Sequence, residues 1–269
     1  MAIDKFIPKV WSARLMENLN KELVFGSLCN RWWEGDIAQW GDQVHINSLT
    51  DITVKEYQAG VDLDDPEPLS GTDTVLVIDH GVYCNFYLSD VDAAQARADV
   101  MDAAMRSAAR RLAEDTEQYI LSVIRAGAGL KKSVTMEAGK AFDLIVRLKT
   151  ALDEKNVPRN GRKLVMPSTV EAELLKDSRF VTAGGAIAEN ALAEGAVARA
   201  AGFDIYISND LQNELVAMTE EGVTFAQQIA KMEAYRREKG FDDGVKGLSL
   251  CGAKVIQPNC VALWTVTEE

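Results

Sequence analysis

From Ser89 to about Ala126 the chain is an unbroken run of helix-forming residues. At about 1.5 Å rise per residue, such a helix would be ~55 Å long, beyond the usual span of a globular helix. Ser89, with Asp92 three residues on, fits a capping box variant. Val91, Ala94, Ala98, Met101, Met105, Ala108 and Leu112 form one apolar stripe, extended by Tyr119, Ile120, Val123 and Ile124. The stripe is rich in alanine, so the helix must lie close to whatever it packs on. The opposite face offers Asp102/Arg106, Arg110/Glu114 and Arg111/Asp115 at i,i+4, each worth only tenths of a kcal/mol. Gly127 and Gly129 end the run. A helix of this length is a spine around which other elements must be arranged.

Before the spine, the pattern is of strands. Val44 and Ile46 alternate with polar residues, as do Ile52 and Val54; a second strand is expected over Thr74–Asp79 and a third through Val82, Cys84, Phe86 and Leu88. Between the first two lies Gly60-Val61-Asp62-Leu63-Asp64-Asp65-Pro66-Glu67-Pro68-Leu69-Ser70-Gly71, whose prolines and acids cannot enter a sheet interior. The whole reads as a long two-stranded excursion with an acidic tip. Such a hairpin is marginal alone and needs a surface to lie on. The first 40 residues carry Trp11, Leu15, Leu19 and Leu23 at helical spacing, then Trp32, Trp33 and Trp40. So many aromatics near a terminus point to an arm lying on its own domain or on a neighbour.

After the spine, residues 134–225 read as an α/β unit. A helix is expected over Met136–Asn156 with Phe142, Ile145, Leu148 and Leu152 on one side, then a strand over Lys163–Met166, a second helix opened by Pro167-Ser168, and a strand over Phe203–Ser208. The Gly/Ala-rich stretch 184–202 shows little periodicity and reads as mobile. Strand patterns return at Ile229–Tyr235, Leu248–Cys251, Lys254–Ile256 and Val261–Val266.

Composition narrows the class of function. At 269 residues, 47% hydrophobic and 26% charged, the chain is an ordinary globular one with no apolar run of the ~20 residues a membrane helix needs. Its start, Met1-Ala2-Ile3-Asp4-Lys5-Phe6, has no signal-peptide pattern, so a cytosolic protein is expected. Cys29, Cys84, Cys251 and Cys260 are widely spaced and read as free thiols packed as small hydrophobes. A formal charge of -12 argues against general binding of duplex DNA.

No motif carries catalysis. Gly127-Ala128-Gly129-Leu130-Lys131-Lys132-Ser133 lacks the spacing and the preceding strand of a phosphate loop, and there is no G-x-S-x-G or H-E-x-x-H. His45 and His80 read as exposed strand residues with no nucleophile nearby. Asp62, Asp64, Asp65 and Glu67 lack the ligand spacing of a calcium loop, and Lys131-Lys132 reads as an isolated pair. The expectation is no catalytic residue, no cofactor and no metal.

Taken in order, an arm, a two-stranded loop, a spine helix, an α/β domain and returning strands resemble the major capsid fold of tailed bacteriophages, shared with encapsulin shells and the floor of herpesvirus capsids. Local sequence carries the resemblance further. Phe6-Ile7-Pro8-Lys9-Val10-Trp11-Ser12 followed by Trp40-Gly41-Asp42-Gln43-Val44 is similar to the opening of a coat-protein family. Glu194-Gly195-Ala196-Val197-Ala198-Arg199-Ala200-Ala201-Gly202-Phe203-Asp204-Ile205-Tyr206-Ile207-Ser208-Asn209 is similar to its central signature. Glu233-Ala234-Tyr235-Arg236, Gly247-Leu248 and Gly252-Ala253-Lys254-Val255-Ile256-Gln257-Pro258 are similar to its closing segment.

The resemblance implies an α+β fold with an N-terminal arm (1–40), an extended two-stranded loop (41–82), a peripheral domain with the spine helix (83–133), an axial domain (134–225) and return strands of the peripheral domain (226–269). It implies pentamers, hexamers and an icosahedral virion shell assembled in the host cytoplasm, enclosing DNA without specific binding. It also implies a separate scaffolding protein, a portal and decoration proteins as partners. Candidate intersubunit contacts are Trp11, Trp32, Trp33, Trp40, the acids Asp62, Asp64, Asp65 and Glu67, and the bases Arg236, Arg237 and Lys239, with the spine arginines as alternative receivers. Some relatives cross-link a loop lysine to a neighbour's asparagine; Lys55 and Asn259 are the conceivable pair here, and no such bond is expected because Lys55 adjoins Glu56 on a strand that reads as exposed. The rival readings are an encapsulin-type compartment and a soluble α/β enzyme using residues 134–225.

Overall fold

The computed structural model describes residues 23–34, 40–49, 54, 56, 71–89, 100–137, 139–177, 199–236 and 242–268. The expected helix before Leu23, the acidic tip, the first turns of the spine and most of the 184–202 stretch lie outside them.

Strict alternation fixes the centre of the fold. Strands β4 (Leu130–Met136), β5 (Arg162–Met166), β6 (Arg199–Ala200), β7 (Phe203–Ile207), β8 (Glu214–Thr219) and β11 (Val261–Glu268) form one sheet in the order β4-β11-β8-β5-β7-β6. Along β8, Leu215 and Ala217 enter one core while Val216 and Met218 enter another. Along β11, Ala262, Trp264 and Val266 face the first core, and Val261 and Leu263 the second. A strand apolar on both faces must be covered on both. Helices α3 (Ala141–Glu154) and α4 (Ser168–Lys176) cover the first face, burying Leu144, Ile145, Leu148, Leu152, Val170 and Leu174 at helical spacing.

The other face is covered by the spine. Helix α2 (Val100–Gly127) has 28 residues, about 42 Å at the standard rise. Ile120, Leu121 and Ile124 from its C-terminal half enter the second core. Met105, Ala109, Leu112 and Ala113, half the helix away, pack on Val82, Cys84, Phe86 and Val245 instead. Those residues belong to a three-stranded antiparallel sheet of β3 (His80–Ser89), β9 (Val223–Arg236) and β10 (Asp242–Val255), with β10 central. One helix thus bridges two sheets, and its alanines let it approach both closely. The spine's glycines work by close approach rather than a left-handed cap. A Cβ on Gly127 would lie 2.7 Å from Val255, and one on Gly129 would lie 2.5 Å from the carbonyl oxygen of Pro258.

Strands β1 (Gln43–Leu49) and β2 (Gly71–Val77) pair antiparallel in register Gln43↔Val77 to Leu49↔Gly71, the base of the expected excursion. Ile46, Leu76 and Ile78 dock this ribbon onto Ala226 and Leu250.

Several expectations need correction. Residues 130–136 are a strand, so α3 begins at Ala141 and not at Met136. The fragments expected at Leu248–Cys251 and Lys254–Ile256 are one strand, because long-range pairing with β9 and β3 carries β10 across its glycines. The strand over 261–266 does not join β9 and β10; it pairs with β8 and β4. Arg111 bonds Glu114 at 2.8 Å, an i,i+3 pair, because Asp115 is engaged by His80.

Candidate assembly surfaces

The chain entering the fold is anchored by a carboxylate. Glu117, 3% exposed on the spine, accepts the backbone N–H of Phe25 at 2.8 Å and of Gly26 at 3.1 Å, at the start of the short helix α1 (Phe25–Leu28). Burial pushes its carboxyl up to about 7, against those hydrogen bonds. Beyond α1, the Lys163 ammonium donates to the carbonyl of Leu28 at 3.0 Å, and Asn30 exchanges backbone hydrogen bonds with Val223 and Phe225. The expected tryptophans then diverge. Trp33 packs against the cluster of Ile46, Leu76, Ile78, Ala226 and Leu250 in its own chain. Trp32 and Trp40 stay 71% and 60% exposed, Trp40 lying over Gly81. Trp11 lies outside the described residues.

On the excursion, His45 is exposed and its Nδ1 sits 2.7 Å from the Asp73 carboxylate across the ribbon. Asp62, Asp64, Asp65 and Glu67 lie outside the described residues, as do Arg237 and Lys239; Arg236 is exposed at the end of β9.

His80 is not the exposed strand residue the sequence suggests. Its Nε2 lies 2.6 Å from Asp115, and its ring stacks on Tyr119 with centroids 4.3 Å apart. The Tyr119 hydroxyl donates to Asp79 at 2.6 Å and accepts the N–H of Ala253 at 3.3 Å, tying three elements together. Register pairs His80 with Cys251, which sequence spacing hid. Burial pushes the Cys251 thiol up to about 12, so no thiolate is available as a nucleophile. Cys29, Cys84 and Cys260 are also free thiols raised by burial. Among the described residues no cluster of three or more metal-ligating side chains occurs.

Two further surfaces stand out among the described residues. The outer face of the three-stranded sheet exposes Tyr83 (75%), Tyr87 (58%) and Leu248, and Tyr83 and Leu248 line a hollow of about 330 Å³. Tyr83 and Leu248 are directly opposed in the register of β3 and β10, so their exposed surfaces adjoin. At the open edge of the six-stranded sheet, Lys131 and Lys132 are not an isolated pair: Arg147 of α3 joins them around a groove of about 450 Å³. Sequence reading missed this because Arg147 is 15 residues beyond Lys132 in the chain and on a different element.

A spine helix that bridges two sheets, a two-stranded ribbon docked on the body and apolar residues left exposed on a sheet face are the features to set beside known proteins. A phage capsid protein family model matches residues 85–263, well over half of the chain. The chain belongs to that family, and its role is structural: it is a capsid subunit forming an icosahedral shell. Among solved structures, it is similar to a chain of Mycobacterium phage Che8, with 28% identity, 90% of each chain covered and a TM-score of 0.75. The capsid of cyanophage P-SCSP1u shares the fold at 16% identity, with 92% and 89% covered and a TM-score of 0.69. A virus-like particle from Pyrococcus furiosus shares it at 14% identity, with 95% and 98% covered and a TM-score of 0.62. No curated protein matches the sequence. The family match favours a phage capsid over an encapsulin-type compartment.

Proposed function

We propose that this chain is the major capsid protein that closes into pentamers and hexamers and encloses a double-stranded DNA genome. The observation that carries the reading is the likeness over nine-tenths of the chain to phage capsid folds, joined to a ribbon and sheet face left bare in the monomer. Residues 1–40 act as the arm and 41–82 as the loop laid over a neighbour. Residues 83–133 and 226–269 supply the peripheral domain and 134–225 the axial domain, with the sheet of the latter completed by β4 and β11. Heterologous contacts of this kind close into rings and then a shell.

Trp11, Trp32 and Trp40 of the arm, Asp62, Asp64, Asp65 and Glu67 of the loop, and Arg236, Arg237 and Lys239 make the intersubunit contacts, while Trp33 packs on the ribbon cluster of its own chain. A separate scaffolding protein, a portal and decoration proteins complete the particle, assembled in the host cytoplasm. The protein is not an enzyme and holds its DNA without reading it. The test is expression of the chain alone, followed by sedimentation and negative-stain imaging. Rings, shells or polyheads are expected; a compact monomer at every concentration and salt would overturn the reading.

A further inference from the structure

The groove at the open edge of the six-stranded sheet has an electrostatic property at odds with the rest of the protein. Its floor is Leu130, Ala151 and Trp264, and its rim carries Lys131, Lys132 and Arg147 against a single acid, Glu154. Lys131 donates to a carbonyl, that of Ala126, at 3.0 Å. The Lys132 ammonium stands 5.4 Å from the centroid of Trp264. Among the described residues, no carboxylate forms an ion pair with any of the three. The chain has a formal charge of -12, yet among the described residues these three cations share one rim acid and none of them is ion-paired. Among the described residues, strand β4 beside them is paired on one side only, with β11, so its other edge presents backbone donors and acceptors.

We propose that this groove receives the acidic loop segment 61–67 of a second copy of the chain. The inference rests on the capsid reading and names the receiving surface. Charge complementarity selects the occupant: Asp62, Asp64, Asp65 and Glu67 bring four carboxylates within six residues. Shape selects it too. Val61-Asp62-Leu63-Asp64 alternates apolar and acidic residues, the pattern of an extended strand that can lie along an open edge with its acids toward the cations. A long polyanion is the weaker candidate, since it meets the repulsion of the whole acidic surface, while a four-charge peptide meets the groove locally. The spine arginine Arg111 is already engaged by Glu114. The groove is therefore a better-prepared receiver than that residue.

The test is a charge swap in the full-length chain. Lys131→Glu/Lys132→Glu/Arg147→Glu should raise the concentration needed for assembly roughly tenfold or more, by like-charge contact at the interface. Asp62→Lys/Asp64→Lys/Asp65→Lys should do the same, and the two sets combined should restore assembly. Circular dichroism of each variant separates misfolding from loss of contact. Zero-length carbodiimide cross-linking of shells grown from mixed light and heavy-isotope chains should join Lys131 or Lys132 to residues 62–67 across isotope labels. Four results would overturn the proposal: normal assembly of the folded groove variant, no rescue on combination, cross-links confined to one chain, or rescue of the loop variant by Arg236→Glu/Arg237→Glu/Lys239→Glu instead. Tight, salt-sensitive binding of duplex DNA lost in the groove variant would also overturn it, in favour of a nucleic-acid site. Failure of the unaltered chain to assemble at all would instead remove the capsid reading.

Discussion

Glu117 on the spine helix accepts the backbone N–H of Phe25, 92 residues earlier in the chain, at 2.8 Å. This bond and its companion to Gly26 hold the entering segment against the second core. Removing the acceptor with Glu117→Ala should leave two buried donors unsatisfied and cost about 2 kcal/mol in denaturant unfolding. The pH dependence follows from the raised carboxyl. The folded protein keeps this proton up to about pH 7, whereas an unfolded glutamate loses it near 4.5. The native state binds more protons across that window, so the stability from this group is full below it and lost as pH rises through about 7. Glu117→Gln should flatten that decline while keeping an acceptor for Phe25. A pH profile unchanged by Glu117→Gln would show that the carboxyl titrates normally.

Gly252 lets the excursion reach the body of the protein. A Cβ there would lie 2.3 Å from the carbonyl oxygen of Val77, and backbone cannot yield as a flexible side chain can. Gly252→Ala should cost about 1–3 kcal/mol by overpacking, measured by thermal unfolding.

The β6–β7 hairpin turns at Ala201 (φ 49°) and Gly202 (φ 89°), both left-handed. Two-residue turns of this hand favour asparagine followed by glycine, and alanine is strained there. Ala201→Asn should raise stability by about 0.5–1 kcal/mol without altering assembly. A lower melting temperature would count against the turn geometry.

Mature shells boiled in denaturant should run as monomers on a gel. Asn259, the conceivable acceptor, stands exposed in the turn Pro258–Cys260 rather than in the dry surroundings that neutralise an attacking lysine. A ladder of covalent oligomers would refute this.

Much of the architecture is local and so was legible. The spine's stripe at Met105, Leu112, Ile120 and Ile124, the alternation of β1, and the opening of α4 by Pro167-Ser168 depend on neighbours within a few residues. The class of protein was legible too, because the order of those elements resembles one known fold. The candidate contacts were legible only as residue types: an exposed Trp32 and a docked Trp33 are adjacent, and nothing in their local sequence tells them apart.

The sequence alone determined where helix and strand periods run, that the chain lacks catalytic spacing, and that a long helix must organise the fold. Tertiary structure decided what non-local pairing alone can decide. In Leu130–Met136 the alternation of Leu130, Val134 and Met136 is broken by Lys132, and the segment is a strand because β11, more than 120 residues later, offers it a ladder. β10 stays extended through Gly244 and Gly247, paired with both β3 and β9, and through Gly252, paired with β9, because those ladders outweigh the glycines' backbone entropy. Asp115 leaves its expected partner Arg111 for His80, and Lys131, Lys132 and Arg147 converge, only because two sheets close on one helix and a second helix folds back beside an open edge. Such contacts join residues whose separation along the chain carries no period, so the energy that fixes them appears only when the layers pack.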